Sequence, residues 1–456
     1  MLASCVLAVM LVHSPQARPR VASRPGGACM MSSPFVTRDA QEPLFRLWMR
    51  REGVRSDSLD LSTFGGRGRG CTALREIEAG ELLVSLPVDA IIDLSALTQV
   101  PVPPTLVSPE VWLELPWYAQ LATWVLAEKA KGSGGRWAAY IDLLPLEGRA
   151  LDTPYHWPDA EIEALQYTWM VTSVYQQRLL FRQLHSAIVG SAPDSELTLA
   201  AFACACESVL SRAFPTGGLT AKAAEAAAAG SGGGLFGAFE GRKQPLLLPN
   251  AESHYALLPA VDSLNHRSGA RGIFSYDARE RIMELRTYDA VRAAGQVFLE
   301  YGQKGNDELL LMYGFVEANN PYEEVSCQGL ESWLRTSHPP TRSLSADEWA
   351  TRTARMEEAG LTGTLDSGTL NAKGAGDQLQ MAATIACGSD ASACAALASF
   401  CRAMIKEQPS RQDARAATPS AARAQTFATF LASKRATLKA ADAALRKRAD
   451  ALKRKH

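Results

Sequence analysis

The stretch Leu258-Pro259-Ala260-Val261-Asp262-Ser263-Leu264-Asn265-His266 joins an apolar run to an Asn-His pair. Farther along comes Val297-Phe298-Leu299-Glu300-Tyr301-Gly302, and soon after it Asn306-Asp307-Glu308-Leu309-Leu310-Leu311-Met312-Tyr313-Gly314-Phe315. Each sets an apolar, strand-like run against polar or aromatic residues at its end. Singly, each has an ordinary structural explanation. An Asn-His step shapes a turn, and Tyr301 and Tyr313 serve as core aromatics at element ends. Asp262, Asn265 and His266 are also metal-ligating types, but no further ligands stand at metal-site spacing, so no metal is expected. Independent core choices would not reproduce this order and spacing of all three segments.

Working outward, 456 residues exceed one ordinary core and predict two or three domains. The chain is 47% hydrophobic and 21% charged, which is globular composition. A net charge of -1 argues neither for nor against nucleic acid. The balance is uneven, since residues 434–456 carry nine Lys and Arg against two Asp. Nine cysteines lack CxxC or Cys/His spacing, which excludes the usual zinc patterns and fits a reducing compartment. Cys387, Cys394 and Cys401 recur every seven residues, which predicts core positions near one face of a helix.

The apolar run Val6–Val12 is too short to span a bilayer. Arg18, Arg20, Arg24 and Arg38 follow before the first acidic residue, Asp39, as in a transit peptide. Residues 1–42 are therefore expected to be a targeting leader, addressed to a plastid, with mitochondrion or cytoplasm as alternatives. Glu81–Pro87 reads as a strand ended by its proline. Gly65-Gly66-Arg67-Gly68-Arg69-Gly70 matches neither GxGxxG before a helix nor GxxxxGK, and a loop of this kind lets backbone approach a ligand closely. Residues 100–215 are helical in pattern: Trp117, Leu121, Trp124 and Val125 follow Pro116, and Ile162, Leu165 and Trp169 follow Asp159 as a candidate N-cap. Residues 217–249 are expected to be a flexible loop, Ala/Gly-rich over Ala223–Gly234. Gly272–Tyr276 and Arg281–Arg286 alternate as a hairpin across Asp277–Glu280. Leu431, Leu438, Leu445 and Leu452, seven apart, predict a helix packed on its own domain, with a short coiled coil as the alternative.

Together the motifs resemble the core of a SET-domain methyltransferase. The resemblance rests on Asn265-His266, Tyr301 and Tyr313-Gly314-Phe315, with Gly68-Arg69-Gly70 and Ala73 matching a family cofactor loop. Trp137-Ala138-Ala139-Tyr140-Ile141-Asp142-Leu143-Leu144-Pro145 is similar to a signature of the Rubisco large-subunit lysine methyltransferase branch. The resemblance covers about 60% of the chain, residues 43–320. It implies an α+β fold: a SET-domain β-fold over 43–320 with a helical insertion at 100–215, then an all-α substrate-binding domain over 321–456 with a basic last helix. No cysteine-rich zinc motif follows the SET core, as in that branch. The implied cofactor is S-adenosyl-L-methionine. Arg67, Gly68, Arg69, Ser211, Arg212, Asn265, His266 and Tyr313 would bind it, Arg212 pairing with its carboxylate. Tyr301 would orient methyl and nucleophile, and Phe214, Asp262, Tyr301 and Phe315 would meet the substrate.

The implied reaction suits these residue types. A lysine amine attacks only when neutral, and losing its proton at pH 7 costs about 4–5 kcal/mol from a pKa near ~10.4. Apolar walls lower that pKa, and in-line placement supplies much of the remaining rate. The expected partner is a non-histone protein, with Rubisco large subunit and aldolase as family candidates. No nucleic acid and no membrane span are expected, and the chain is expected to be a monomer. Some relatives methylate histidine, whose second ring nitrogen wants a polar partner. Phe214, two residues after Arg212, better suits a lysine stem. A non-catalytic interaction module retaining the fold is the alternative from another class.

Overall fold

The structure is a computed structural model that describes residues 38–65, 68–95, 97, 99–146, 151–216, 254–277, 279–409 and 421–454. Arg67 and the 217–249 loop lie outside these residues, as does the leader apart from its last residues.

An α-helix, Arg38–Arg51, leads in. Its buried Phe45 and Trp48 stack with centroids 5.6 Å apart, and Trp48 meets Trp137 at 5.5 Å and Tyr140 at 6.1 Å. Trp48 Nε1 donates to the Arg136 carbonyl at 2.7 Å. Arg51 Nη2 donates to the same carbonyl at 2.8 Å, so the helix is pinned to the segment around Arg136 and Trp137 by aromatic area and by hydrogen bonds. The expected leader end at residue 42 falls inside this helix, where Gln41 is buried.

The N-terminal two thirds carry three small sheets. In the first, β1 (Leu59–Phe64) pairs antiparallel with β2 (Gly68–Ala73), and β10 (Gln296–Leu299) inserts between β2 and β7 (Asn265–His266) in the order β1-β2-β10-β7. The β10–β7 pair is parallel, with Phe298 opposite Asn265 and Leu299 opposite His266. The second sheet orders β3 (Leu82–Pro87), β9 (Ile282–Thr287) and β8 (Gly272–Asp277), and the third β4 (Ile92–Asp93), β6 (Tyr255–Leu257) and β5 (Ala213–Pro215). The β8–β9 hairpin has the predicted alternation, and the Asp277 carboxylate caps its turn by accepting from the Arg279 and Glu280 N–H groups.

Of the three opening runs, only Val297–Leu299 is a strand. The chain turns at Val261–Ser263 in a 3-10 segment before the two-residue β7, and Asn306–Tyr313 is an α-helix. Short apolar runs do not distinguish strand from buried helix. Between β4 and β5 the insertion is helical, with Trp117–Ala130, Thr168–Ser191 and Leu199–Leu210 its longest members. Asp159 is the first residue of a short helix, Asp159–Glu163, capped by Pro158. Trp169 belongs to the next helix, because Gln166 adopts a φ of 45° and breaks the run.

Beyond residue 320 the regular structure of the described residues is helical except for a small antiparallel sheet of β11 (Glu324–Ser326), β12 (Thr369–Asn371) and β13 (Gly374–Ala375). The last helix, Ala421–Lys453, lays buried Phe427, Phe430, Leu438 and Leu445 against its own region, chiefly the helix Asp390–Glu407. Cys387 ends the helix Asp377–Cys387, while Cys394 and Cys401 are buried on Asp390–Glu407, so the seven-residue spacing straddles a break.

Candidate functional site

A cleft of about 240 Å³ opens where β2, β7 and the end of β10 meet the insertion. Gly68, Arg69, Ser211, Arg212, Asn265, Tyr301, Tyr313 and Phe315 line it. Eight residues expected to act together from five separate places in the sequence therefore line one cleft. Gln41, Glu42, Thr63, Leu143, Leu144, Pro145 and Leu151 complete the lining. Leu143–Pro145 lie in a segment whose family likeness was legible. Gln41, Glu42, Thr63 and Leu151 carried no signal, since only tertiary packing brings them here.

The polar half of the wall is built around two guanidiniums. Arg69 donates through Nη1 to the Leu143 carbonyl at 2.6 Å, and Arg212 donates through Nη1 to the Asp262 carbonyl at 2.6 Å. Their remaining buried groups, Arg69 Nε and Nη2 and Arg212 Nε, have no hydrogen-bond partner, and neither does the buried Asn265 Nδ2. Unmet donors of this kind are costly unless a ligand supplies acceptors. Burial, and then the Arg212 charge, pull the Arg69 pKa down to about 10, which marks a cation short of counter-charge. The Asp262 carboxylate interacts with both guanidiniums, and burial raises its pKa against the pull of Arg212, Tyr140 and Arg69. It is turned inward: Tyr140 Oη donates to Oδ2 at 2.7 Å, and the residue is 5% exposed. Asp262 therefore positions Arg212 from behind the cleft and does not present its carboxylate at the opening.

Gly70 lets Asn265 reach this wall. A Cβ there would stand 2.4 Å from Asn265 Nδ2 and 2.8 Å from Gln296 Nε2, closer than any real contact. Ser211 caps the helix Leu199–Leu210, and its hydroxyl donates to the Ser208 carbonyl at 3.1 Å.

The aromatic half centres on Tyr301. Its hydroxyl donates to the Leu264 carbonyl at 2.7 Å, and its ring lies 5.0 Å from Tyr313 and 5.2 Å from His266 between centroids. Burial raises its pKa to about 12, so it is a neutral phenol at neutral pH. His266 stands behind the aromatics and does not line the cleft. Its Nδ1 accepts from the Tyr301 N–H at 3.0 Å, which leaves the proton on Nε2, 3.3 Å from Ser268 Oγ and 3.5 Å from Glu317 Oε2. Burial lowers its pKa despite Glu317 and Glu300, so the imidazole is neutral and braces the Tyr301 backbone. Phe214 also lies outside the lining: on β5 it packs on Phe274 of β8 at 5.8 Å. Among the described residues no group of three or more His, Cys, Asp or Glu gathers to hold a metal ion.

No protein-family model matches the chain. Among solved structures, it is similar to the SET domain of LSMT bound to lysine and AdoHcy, with a TM-score of 0.61 and 15% identity over 92% of this chain and 94% of the other. The chain has the SET-domain fold. A second SET structure, Rubisco LSMT bound to AdoMet, is similar with a TM-score of 0.58 and 16% identity over 91% of this chain and 93% of the other. The SET chain is also 25% identical over 287 residues to SET domain-containing protein 4 of Mus musculus, covering 61% of this chain and 58% of the relative. It is 26% identical to the chloroplastic [fructose-bisphosphate aldolase]-lysine N-methyltransferase of Arabidopsis thaliana, over 60% of this chain and 52% of that one. It is 24% identical to the actin-histidine N-methyltransferase of Drosophila melanogaster, over 64% of this chain and 51% of that one. This SET chain spans about half the length of the curated relatives it matches.

Proposed function

We propose that this chain is a protein-lysine N-methyltransferase that takes its methyl group from S-adenosyl-L-methionine and acts on a non-histone protein. The carrying observation is the set of buried, unmet donors, Arg69 Nε and Nη2, Arg212 Nε and Asn265 Nδ2, on three residues that line one cleft together with Tyr301. That set fits a small zwitterion bearing a carboxylate and hydrogen-bond acceptors, as this cofactor does. Arg69, Arg212 and Asn265 would hold it, with Gly68, Ser211 and Tyr313 against it. When bound, the cofactor supplies a methyl group on a positively charged sulfur.

The chain's own residues do the rest. Tyr301, neutral and fixed by the Leu264 carbonyl, keeps oxygen lone pairs for weak C–H···O contact and for the incoming amine. It orients without taking a proton. Tyr313 and Phe315 wall the cleft, exclude water, and favour an uncharged amine. Asp262 holds Arg212, and His266 holds the Tyr301 backbone.

Relatives of both lysine and histidine type are represented. We favour lysine because the Tyr301, Tyr313 and Phe315 rings stand together at the cleft, and such aromatic walls suit an aliphatic amine stem. Rubisco large subunit and aldolase are the substrate candidates. The plastid is the proposed compartment, supported by the acid-free stretch before Asp39 and the chloroplastic relative. We also propose residues 43–320 as the catalytic unit and residues 321–456 as the substrate-gripping unit. No single helix among the described residues is long and apolar enough to cross a membrane.

Titration calorimetry tests the binding half. Asn265→Ala and Arg69→Ala should each weaken cofactor binding about 10- to 100-fold, the equivalent of ~1–3 kcal/mol for a lost buried hydrogen bond. Wild-type affinity in both folded variants would mean that these donors are aimed at something else.

A further inference from the structure

The helix Asn306–Tyr313 delivers Tyr313 and, just beyond it, Phe315 to the cleft. Its first turn is held from the last helix of the chain, Ala421–Lys453, and its other end packs on a residue which that helix braces. At the first turn, Lys434 is fully buried with its Nζ 2.8 Å from Asp307 Oδ1 and ion-paired with Glu323. Tyr167 Oη donates to Asp307 Oδ2 at 2.9 Å. The Lys434 ammonium also lies over the Phe430 and Tyr167 rings at 5.1 and 5.5 Å. Beside it, Ser433 Oγ donates to Glu323 Oε2 at 2.7 Å, and Asn306 Nδ2 bonds Glu323, Ser433 Oγ and the Glu317 carbonyl. Burial works against the Lys434 charge, but Asp307 and Glu323 more than offset it and hold its pKa above the usual lysine value.

The other end packs on a braced neighbour. Arg423 pairs with Asp152, Nη2 to Oδ1 at 2.8 Å, and lies over the Trp157 ring, whose Nε1 also donates to Asp152. The Asp152 carbonyl in turn closes on Gly314, where a Cβ would meet it at 2.9 Å. Arg423 and Lys434 are eleven residues apart, about 16 Å along a helix, and the eight-residue motif helix spans about 12 Å. The last helix is therefore long enough to bracket it. Burying a lysine between two carboxylates is a weak way to gain stability, since a hydrophobic trio of similar volume often does as well.

We propose that Lys434 is a positioning residue for methyl transfer: it clamps Asp307 while Arg423 braces Asp152, so the chain's last helix sets where Tyr313 stands beside Tyr301. The proposal rests on reading the cleft as the transfer site. Misplacement of groups bordering a reacting centre lowers turnover more than affinity.

The test uses the full chain with Lys434→Met, and with Lys434→Met/Glu323→Gln, in which the uncompensated buried charge is reduced. Steady-state kinetics are taken where circular dichroism shows native structure, alongside 19F spectra of 3-fluorotyrosine protein with the Tyr313 resonance assigned by Tyr313→Phe. Positioning predicts kcat lower by about tenfold or more, KM for cofactor within about threefold, and a displaced Tyr313 resonance. The double variant should recover melting temperature without recovering kcat. Should Lys434→Met fail to fold, the double variant carries the comparison. Wild-type kcat with an unmoved Tyr313 resonance, or recovery of stability and kcat together, would overturn the proposal. The fluorine shift is read without cofactor, so a wild-type chain that transfers no methyl would defeat the functional reading while the clamp is still judged on its own.

Discussion

Tyr301 has its hydroxyl proton committed to the Leu264 carbonyl and its pKa raised to about 12, so it orients groups and takes no proton. Tyr301→Phe should cut kcat by about 100-fold, ~2.7 kcal/mol of transition-state stabilisation, with cofactor affinity nearly unchanged. Calorimetry paired with single-turnover transfer checks this; an unchanged rate removes the hydroxyl from the chemistry. His266 gives a separate pH signature. Its folded pKa is depressed by burial, with Glu317 and Glu300 opposing that shift and Lys304 adding to it. Below about 6.5 the unfolded chain binds a proton that the fold resists, so this contribution is present above that pH and is lost as pH falls. Melting temperature should drop between about pH 7 and pH 5, and His266→Gln should flatten that slope. An identical slope in the variant would show that His266 does not resist protonation in the fold. At this scale the sequence was most informative where chemistry constrains residue type. Arg69, Arg212, Asn265 and Tyr301 were singled out and lie together. Asp262 and His266 were singled out too but stand one layer back, because side-chain direction after a turn is set by hydrogen bonds that sequence spacing does not report.

Elements were legible in proportion to how strongly local pattern determined them. The β8–β9 hairpin and the helix Trp117–Ala130 lie where alternation and Pro116 put them. The Asn306–Tyr313 run looked like a strand because its central Leu-Leu-Leu-Met block is apolar throughout and shows no helical polar face. The cysteine heptad predicted one helix and met two, because the chain turns between Cys387 and Cys394. The leucine heptad of the last helix is packed on its own region, with Leu438 and Leu445 buried. Leu438→Ala should therefore cost about 2–5 kcal/mol in denaturant unfolding, the range for a buried leucine whose cavity does not collapse. A cost below ~1 kcal/mol would mean that this helix is loosely docked.

At the scale of the whole molecule, one cleft is assembled from the N-terminal helix, the β1-β2-β10-β7 sheet, the helical insertion and the motif helix, and the C-terminal region holds that last element in place. This explains why only part of the site was readable beforehand. The motifs supplied the donors and aromatics, while Gln41, Glu42, Thr63 and Leu151 arrive by long-range packing. It also places the proposed leader boundary inside the helix that contributes Gln41 and Glu42. The proposed transfer of a methyl group to protein lysine is tested by incubating the purified chain with methyl-labelled S-adenosyl-L-methionine and an undermethylated plastid extract, followed by mass-spectrometric mapping of the label. Label is expected on a lysine side-chain nitrogen of a non-histone protein, formed about 100-fold more slowly when Tyr301→Phe replaces the wild type. Label on histidine, or none above the Tyr301→Phe control, would contradict it.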